Sequence, residues 1–104
     1  MHRAGIILLF FDLPMLTKRS QREYRVFRRF LKKNAYVAVQ RSVYVKLLHN
    51  SSSAKVEIEK LKQSSPDEGN IIALPLGLHY FKQLQYIRGG DFDLPFFCDD
   101  IISL

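Results

Sequence analysis

Eight residues in succession, AGIILLFF at positions 4–11, form a continuous apolar run that ends at Asp12 and Pro14. The run is too short for a buried helix, and proline lacks the backbone donor that a regular element would need to continue. Short apolar runs of this kind are typical of a central strand that is covered on both faces of its sheet. We therefore predict a buried strand here, with Asp12 at its carboxyl end.

The segment that follows, residues 16–34, contains no glycine or proline and is rich in helix-forming residues, with Thr17 or Ser20 placed to cap it. On a helical wheel its apolar side chains fall on one side: Leu16, Tyr24, Phe27, Phe30 and Leu31. The other side carries a row of cations, called the basic stripe below: Lys18, Arg22, Arg25, Arg29, Lys32 and Lys33. We predict a helix with a core face and a positive face about 22 Å long.

Two β-branched and aromatic stretches, residues 36–39 and 42–47, are predicted as consecutive strands or as one long strand with a bend. Residues 54–63 place apolar side chains at helical spacing, and residues 70–76 form another strand, in which Pro75 indicates a sheet edge. The resulting order, β-α-β-β-α-β, predicts an α+β, ferredoxin-like sandwich in which one antiparallel sheet carries two helices on one face.

A helical turn at residues 78–83 and a fifth strand at residues 84–88 are predicted after this unit. We therefore divide the chain into a ferredoxin-like domain, residues 1–88, and a C-terminal tail, residues 89–104. The tail ends in DFDLPFFCDDIISL, which is too apolar for a solvated segment, so we expect it to dock on a partner chain. The alternative is that the tail folds back on its own sheet.

Charge is distributed unevenly along the 104 residues, whose formal net charge is +6. Residues 1–50 hold 11 basic and 2 acidic side chains, a net charge of +9, whereas residues 51–104 hold 5 basic and 8 acidic side chains, a net charge of −3. Such an asymmetry points to a polyanionic partner, although basic stretches are also common on faces that are simply solvated.

Several classes of protein and site are excluded by pattern. Cys98 is the only cysteine, which excludes an internal disulfide, a four-cysteine zinc site and a CxxC redox pair. The sequence has no P-loop, GxGxxG, HExxH or nucleophile-elbow motif. No apolar run reaches the ~18–20 residues of a membrane helix, and no secretory signal pattern is present, so we expect a cytoplasmic protein without a membrane partner.

Asp12 is the remaining candidate for catalysis. It lies at the carboxyl end of an apolar strand next to a basic helix, where a carboxylate can bind Mg²⁺ and activate water against a phosphodiester while nearby cations hold the phosphates. The alternative is structural, because an aspartate before Leu-Pro often caps a turn. A single aspartate makes a poor Mg²⁺ site, so any metal chemistry calls for two copies of Asp12 facing each other across a dimer axis.

Four pieces of the chain together resemble a known family: LLFFDLP, QREYRVFRRFLKKNAYV, VQRSVYVKL and NSSSAKVEIEKLK. They are similar to the small CRISPR-associated subunit of spacer acquisition, the second CRISPR-associated protein, in the form found in type II systems. The resemblance covers about residues 4–88, and it depends on the combination of these pieces rather than on any one of them.

The resemblance implies a ferredoxin-like homodimer in which the last strand pairs with the partner's sheet. It implies a Mg²⁺-dependent endonuclease acting on RNA or double-stranded DNA, with Asp12 matching the family's metal ligand. It also implies a scaffold that holds duplex DNA and bridges the larger CRISPR-associated integrase subunits. We expect this scaffold role rather than catalytic cleavage of nucleic acid. The residues alone leave a further alternative, a non-catalytic ferredoxin-like nucleic-acid-binding or regulatory dimer.

Overall fold

A four-stranded sheet with two helices on one face forms the body of the computed structural model, which describes residues 4–90 apart from the side chain of Ser51. The elements are β1 (Gly5–Asp12), α1 (Lys18–Lys33), β2 (Val37–Gln40), β3 (Val43–Leu48), α2 (Ala54–Ser64), β4 (Asn70–Gly77) and the one-turn helix α3 (Leu78–Phe81). The strand order is β2-β3-β1-β4, and every neighbouring pair is antiparallel. The predicted ferredoxin-like arrangement is confirmed, and Pro75 lies on an edge strand as expected.

Strand β1 is central and contributes to a core on each face of the sheet. Ile7 and Leu9 are fully buried against the helices, where they pack in one cluster with Phe27 of α1 and Leu61 of α2. Ile6 points to the other face and is also fully buried, in a second cluster. The apolar run is therefore continuous because both sets of alternating side chains are covered, as predicted.

Local hydrogen bonds set both ends of α1. Thr17 and Ser20 form a reciprocal capping box, in which each side-chain oxygen accepts from the other residue's backbone N–H at 3.0 Å. At the other end Ala35 adopts a left-handed conformation (φ 68°), and the backbone N–H groups of Ala35 and Tyr36 donate to the carbonyls of Lys32 and Leu31, a Schellman ending. Because the helix begins at Lys18, the prediction that Leu16 belongs to the core face is wrong: Leu16 is 95% exposed.

Among residues 4–90 the predicted fifth strand at residues 84–88 is not formed, because this segment pairs with no strand there. It follows α3, which confirms the predicted turn, and it crosses the face of the sheet opposite the helices. Leu84 and Tyr86 pack there against the second cluster, and the Tyr86 hydroxyl donates to the Val39 carbonyl of β2. Side-chain contacts across the sheet thus replace the ladder that a strand requires.

The predicted docking of the tail falls mostly on residues 91–104, which lie outside the described part of the chain. Within residues 4–90 no helix is long and apolar enough to cross a membrane.

Candidate nucleic-acid interface

All six members of the basic stripe are solvent-exposed along α1. The helix turns Phe27 and Leu31 into the core and leaves its charge outside. Among the described residues, Arg19 is the only basic side chain of α1 that pairs with carboxylates, contacting Glu23 at 3.4 Å and Asp67 at 3.5 Å. The predicted positive face therefore exists as a surface, and its six cations contact no carboxylate among residues 4–90.

A groove of about 460 Å³ separates α1 from the edge strand β2. Its walls combine cations with apolar and aromatic side chains, and we call it the basic groove: Arg25, Arg28, Arg29, Lys32, Tyr36, Val37, Ala38 and Tyr44. Three members of the basic stripe meet there, whereas Lys18, Arg22 and Lys33 lie outside it.

Arg28 is a groove residue that the sequence analysis missed. A helical wheel shows that Arg28 lies on the flank between the apolar and basic faces, but it does not show which flank the neighbouring strand approaches. In the fold that flank faces β2, and the Arg28 guanidinium lies over the Tyr24 ring at 5.9 Å. Arg41, in the turn between β2 and β3, was missed for a similar reason, because only the hairpin brings it towards Asp12.

Asp12 lies exposed at the end of β1 in a second cleft, of about 520 Å³, which we call the Asp12 cleft. Tyr24, Arg28, Arg41 and Ser42 also line this cleft. Arg28 lines the basic groove as well, so the two cavities adjoin. A carboxylate and a set of cations thus share one continuous surface, as expected for an aspartate at the end of a strand next to a basic helix.

The backbone around Asp12 is held from both sides. Asp12 lies opposite Asn70 in the β1–β4 ladder, and Phe11 donates its N–H to the Ser42 carbonyl at 3.0 Å. Gly69 has φ 97°, and a Cβ placed there would lie 2.7 Å from the Asp12 carbonyl oxygen. Only glycine fits this turn without displacing Asp12.

Residues 4–90 supply a single carboxylate to the candidate metal centre at Asp12. Asp12 is the only acidic residue that lines its cleft, and residues 4–90 contain no group of three His, Cys, Asp or Glu side chains that could hold a metal ion. The donor chemistry suits Mg²⁺, because an exposed carboxylate oxygen is the kind of ligand that this ion accepts. Among the described residues one carboxylate is too few donors for Mg²⁺, and the prediction that a second copy contributes its own Asp12 stays a prediction.

A buried charged cluster lies behind the basic groove. Glu57 of α2 is buried and pairs with Lys46 of β3 at 2.8 Å and with Lys60 at 3.6 Å. The Lys46 ammonium also lies 5.6 Å from the centre of the Tyr36 ring, which is itself 4% exposed. Burial and the negative charge of Glu57 raise the pKa of Tyr36 above its ordinary value.

Sequence reasoning missed this cluster, although a signal was present. Glu57 comes three residues after Ala54 and four before Leu61, which places it on the apolar face of α2. A charged residue at such a position indicates a buried partner. The other acidic residue of α2, Glu59, lies on the exposed side of the helix and contacts Lys62 at 3.4 Å.

Comparison with known proteins places the chain in a family. The family model described as CRISPR associated protein Cas2 matches residues 6–84, which include Asp12 and the whole basic groove. This chain belongs to the Cas2 family. The resemblance seen in the sequence is thereby confirmed.

Individual Cas2 relatives agree with the family model. A protein of Streptococcus mutans serotype c (strain NN2025) is 37% identical over 83 residues, covering 80% of this chain and 78% of the relative. One from Acidovorax ebreus (strain TPSY) is 35% identical over 83 residues, covering 80% of this chain and 81% of the relative. A third, from Campylobacter jejuni, is 37% identical over 84 residues but matches over only 59% of its own length. Each of these proteins is named a CRISPR-associated endoribonuclease Cas2.

Proposed function

We propose that this Cas2-family chain is a subunit of CRISPR spacer acquisition that binds duplex DNA through α1. The observation that carries the proposal is the row of exposed cations along α1 and in the basic groove, which contact no carboxylate within the described part of the chain. Duplex DNA presents one phosphate charge for about every 1.7 Å of helix axis, so a positive face about 22 Å long meets several phosphates at once. Each phosphate that a Lys or Arg side chain neutralises releases condensed counterions, which drives binding.

This binding is expected to be independent of sequence. Tyr36 and Tyr44, the aromatic residues of the basic groove, are buried and half-buried, respectively, and their rings pack within the domain. Tyr36 is buried beside Lys46, and the Tyr44 ring lies 5.5 Å from the Phe11 ring, packed against the helix-side core. The cations are left as the contacting groups, and phosphate contacts position a protein on DNA without reading bases.

Assembly into a homodimer is part of the proposal. On the sheet face opposite the helices, Ile72 of the edge strand β4 is 61% exposed and Leu74 is 44% exposed, next to Phe10 and Leu8 of β1. An apolar edge of this kind is suited to burial against a second copy. Two copies present two α1 faces, which lets the dimer support a duplex and bridge the larger CRISPR-associated integrase subunits.

Charge reversal on α1 tests the binding proposal. The double variant Arg25→Glu and Arg29→Glu is expected to bind a short mixed-sequence DNA duplex at least about tenfold more weakly, and to reduce the slope of log K against log salt by about two. The matched control is Lys55→Glu with Lys62→Glu on the exposed surface of α2, which changes net charge equally. Fluorescence anisotropy over a series of salt concentrations measures the duplex affinity and its salt dependence for each variant. Equal losses in the two variants would show that only net charge matters and would contradict a site on α1.

Phosphodiester cleavage is a second candidate function, favoured by the position of Asp12 beside Arg28 and Arg41. The Asp12 carboxylates of two copies would hold Mg²⁺, which when bound supplies an activated water and screens phosphate charge. The two arginines of the Asp12 cleft would orient the phosphate, and Gly69 keeps the Asp12 backbone in place. The relatives' name, endoribonuclease, makes RNA the first substrate to test, with double-stranded DNA the second.

Asp12→Asn tests this candidate. It is expected to abolish Mg²⁺-dependent cleavage while duplex affinity and the dimer, measured by light scattering, stay unchanged. Asp67→Asn, which removes an exposed carboxylate outside the Asp12 cleft, is the control and should cleave normally. Cleavage that persists in Asp12→Asn would come from a contaminant or from another site, and it would contradict a catalytic role for Asp12.

A further inference from the structure

The basic groove and the Asp12 cleft share three lining residues, Arg28, Ala38 and Tyr44. Ala38 and Tyr44 lie opposite each other in the β2–β3 ladder, so they form a wall contributed by the sheet. Arg28 reaches the same place from α1 and is the only charged residue of the three. A nucleic-acid backbone that continues from the cations of the basic groove towards Asp12 therefore passes Arg28.

The Arg28 side chain is held by an aromatic contact. Tyr24 and Arg28 are four residues apart, which makes them neighbours on one face of α1. The Arg28 guanidinium lies 5.9 Å from the centre of the Tyr24 ring, within the roughly 6 Å over which a cation–π contact acts. The Tyr24 ring in turn packs edge-on against Phe11, with the ring centres 6.2 Å apart, and Phe11 is the buried residue directly before Asp12. Ring contacts thus connect the strand that carries Asp12 to Arg28.

Arg28 differs in this respect from the other cations of the basic groove. Arg25, Arg29 and Lys32 are exposed and contact neither an aromatic ring nor a carboxylate among residues 4–90. Such side chains have many rotamers, and this freedom is lost when they bind a ligand. Arg28 and Asp12 line one cleft without forming an ion pair in the described structure, so the guanidinium is both pre-positioned and available to a phosphate.

We propose that Tyr24 is a positioning residue whose ring holds Arg28 at the junction of the two cavities. There Arg28 binds the phosphate next to those held in the basic groove and presents it to Asp12. The inference rests on both functions proposed above, and it adds that one strand spans the two cavities, instead of separate strands occupying them. A cation contacts the face of a ring, so the ring of Tyr24 and not its hydroxyl has this role.

The mobility of the arginine side chains tests the contact without nucleic acid. In the full chain the NMR order parameter of the Arg28 Nε–H bond is expected to exceed those of Arg25 and Arg29. Tyr24→Leu should lower it to their level, whereas Tyr24→Phe should retain it. The matched control is Phe30→Leu, which removes another half-buried ring of α1 that lines neither cavity, and it should leave Arg28 unchanged. Equal mobility of the three arginines in the wild-type chain, or equal loosening of Arg28 in both leucine variants, would overturn the proposal.

Cleavage of an RNA strand in the presence of Mg²⁺ tests what the contact does. Tyr24→Leu keeps the charge of Arg28, so KM should change by less than about twofold, while kcat should fall about two- to fivefold, the factor that an exposed cation–π contact corresponds to. Tyr24→Phe should retain the wild-type kcat, and so should Phe30→Leu. A fall in kcat that is equal in the two leucine variants, or absent from both, would overturn the positioning role.

This inference and the proposed function fail separately. If reversing Arg25 and Arg29 weakens duplex binding but Arg28 is no more ordered than these two, the DNA binding stands and the positioning is wrong. If Tyr24 orders Arg28 but the charge reversal leaves duplex binding unchanged, the ring contact stands and the proposed DNA binding is wrong. A wild-type chain that binds nucleic acid and does not cleave it would overturn the presentation of a phosphate to Asp12.

Discussion

Helices α1 and α2 lie on the same face of the sheet and use their charge in opposite ways. α1 carries eight basic residues and one acidic residue, and most of its cations contact no carboxylate among the described residues. α2 carries three basic and two acidic residues, and both acidic residues are paired, one of them in the interior. The charge of α2 therefore serves the fold, whereas the charge of α1 is available to a partner.

The arrangement on α1 has a cost in stability. Arg25 and Arg29 lie four residues apart, as do Arg28 and Lys32, so like charges face each other along the helix. Each such pair destabilises a helix by about 0.2–0.5 kcal/mol. A helix selected only for stability would pair its acidic and basic residues as α2 does, and the departure from that pattern supports a role in binding.

The largest effect is expected in α2. Glu57→Ala should lower the free energy of unfolding by about 2–3 kcal/mol, because it leaves the largely buried ammonium of Lys46 without its carboxylate. Glu59→Ala removes an exposed ion pair and should change the free energy of unfolding by less than about 0.5 kcal/mol. Urea denaturation measures both. Similar values for the two variants would show that the buried cluster does not stabilise the fold, and the contrast between the helices would be lost.

A smaller effect is expected at alkaline pH. The pKa of Tyr36 is raised in the folded state, so between its ordinary value of 10.0 and the folded value the unfolded chain loses a proton that the folded chain keeps. This group's contribution to stability is complete below pH 10 and falls above it by up to about 1.4 kcal/mol per pH unit. Tyr36→Phe should remove this part of the fall in stability, so its free energy of unfolding should decrease less steeply above pH 10. If urea denaturation at several pH values above 10 gave the same slope for Tyr36→Phe and the wild-type chain, the prediction would be contradicted.

The smallest effect on stability is expected in α1. The double variant Arg25→Glu and Arg29→Glu should unfold within about 0.5 kcal/mol of the wild-type chain, since both side chains are exposed and unpaired in the described structure. Urea denaturation of the proteins used for duplex binding provides the measurement. A loss well above that range would mean that the weakened duplex binding reflects unfolding rather than lost phosphate contacts.

Much of the fold could be predicted because local pattern and tertiary environment agree. The strand at residues 4–11, both long helices and the strand at residues 70–76 were placed to within a residue or two of their observed ends. Predictions failed where the pattern allowed two outcomes. Leu16 fits the apolar face of a helix, but the Thr17–Ser20 capping box starts the helix after it. Residues 84–88 resemble a strand, but a strand exists only beside another.

The candidate site likewise has some features that local sequence predicts and others that depend on tertiary packing. The exposure of the basic stripe follows from helical periodicity, and the position of Asp12 follows from the end of an apolar run, so the sequence by itself determined both. Only the tertiary structure decided that β2 approaches the flank carrying Arg28, that the hairpin brings Arg41 to Asp12, and that Lys46 and Glu57 pair in the interior. Periodicity depends on neighbours along the chain, whereas these contacts depend on how separate elements pack, and no local pattern contains that information.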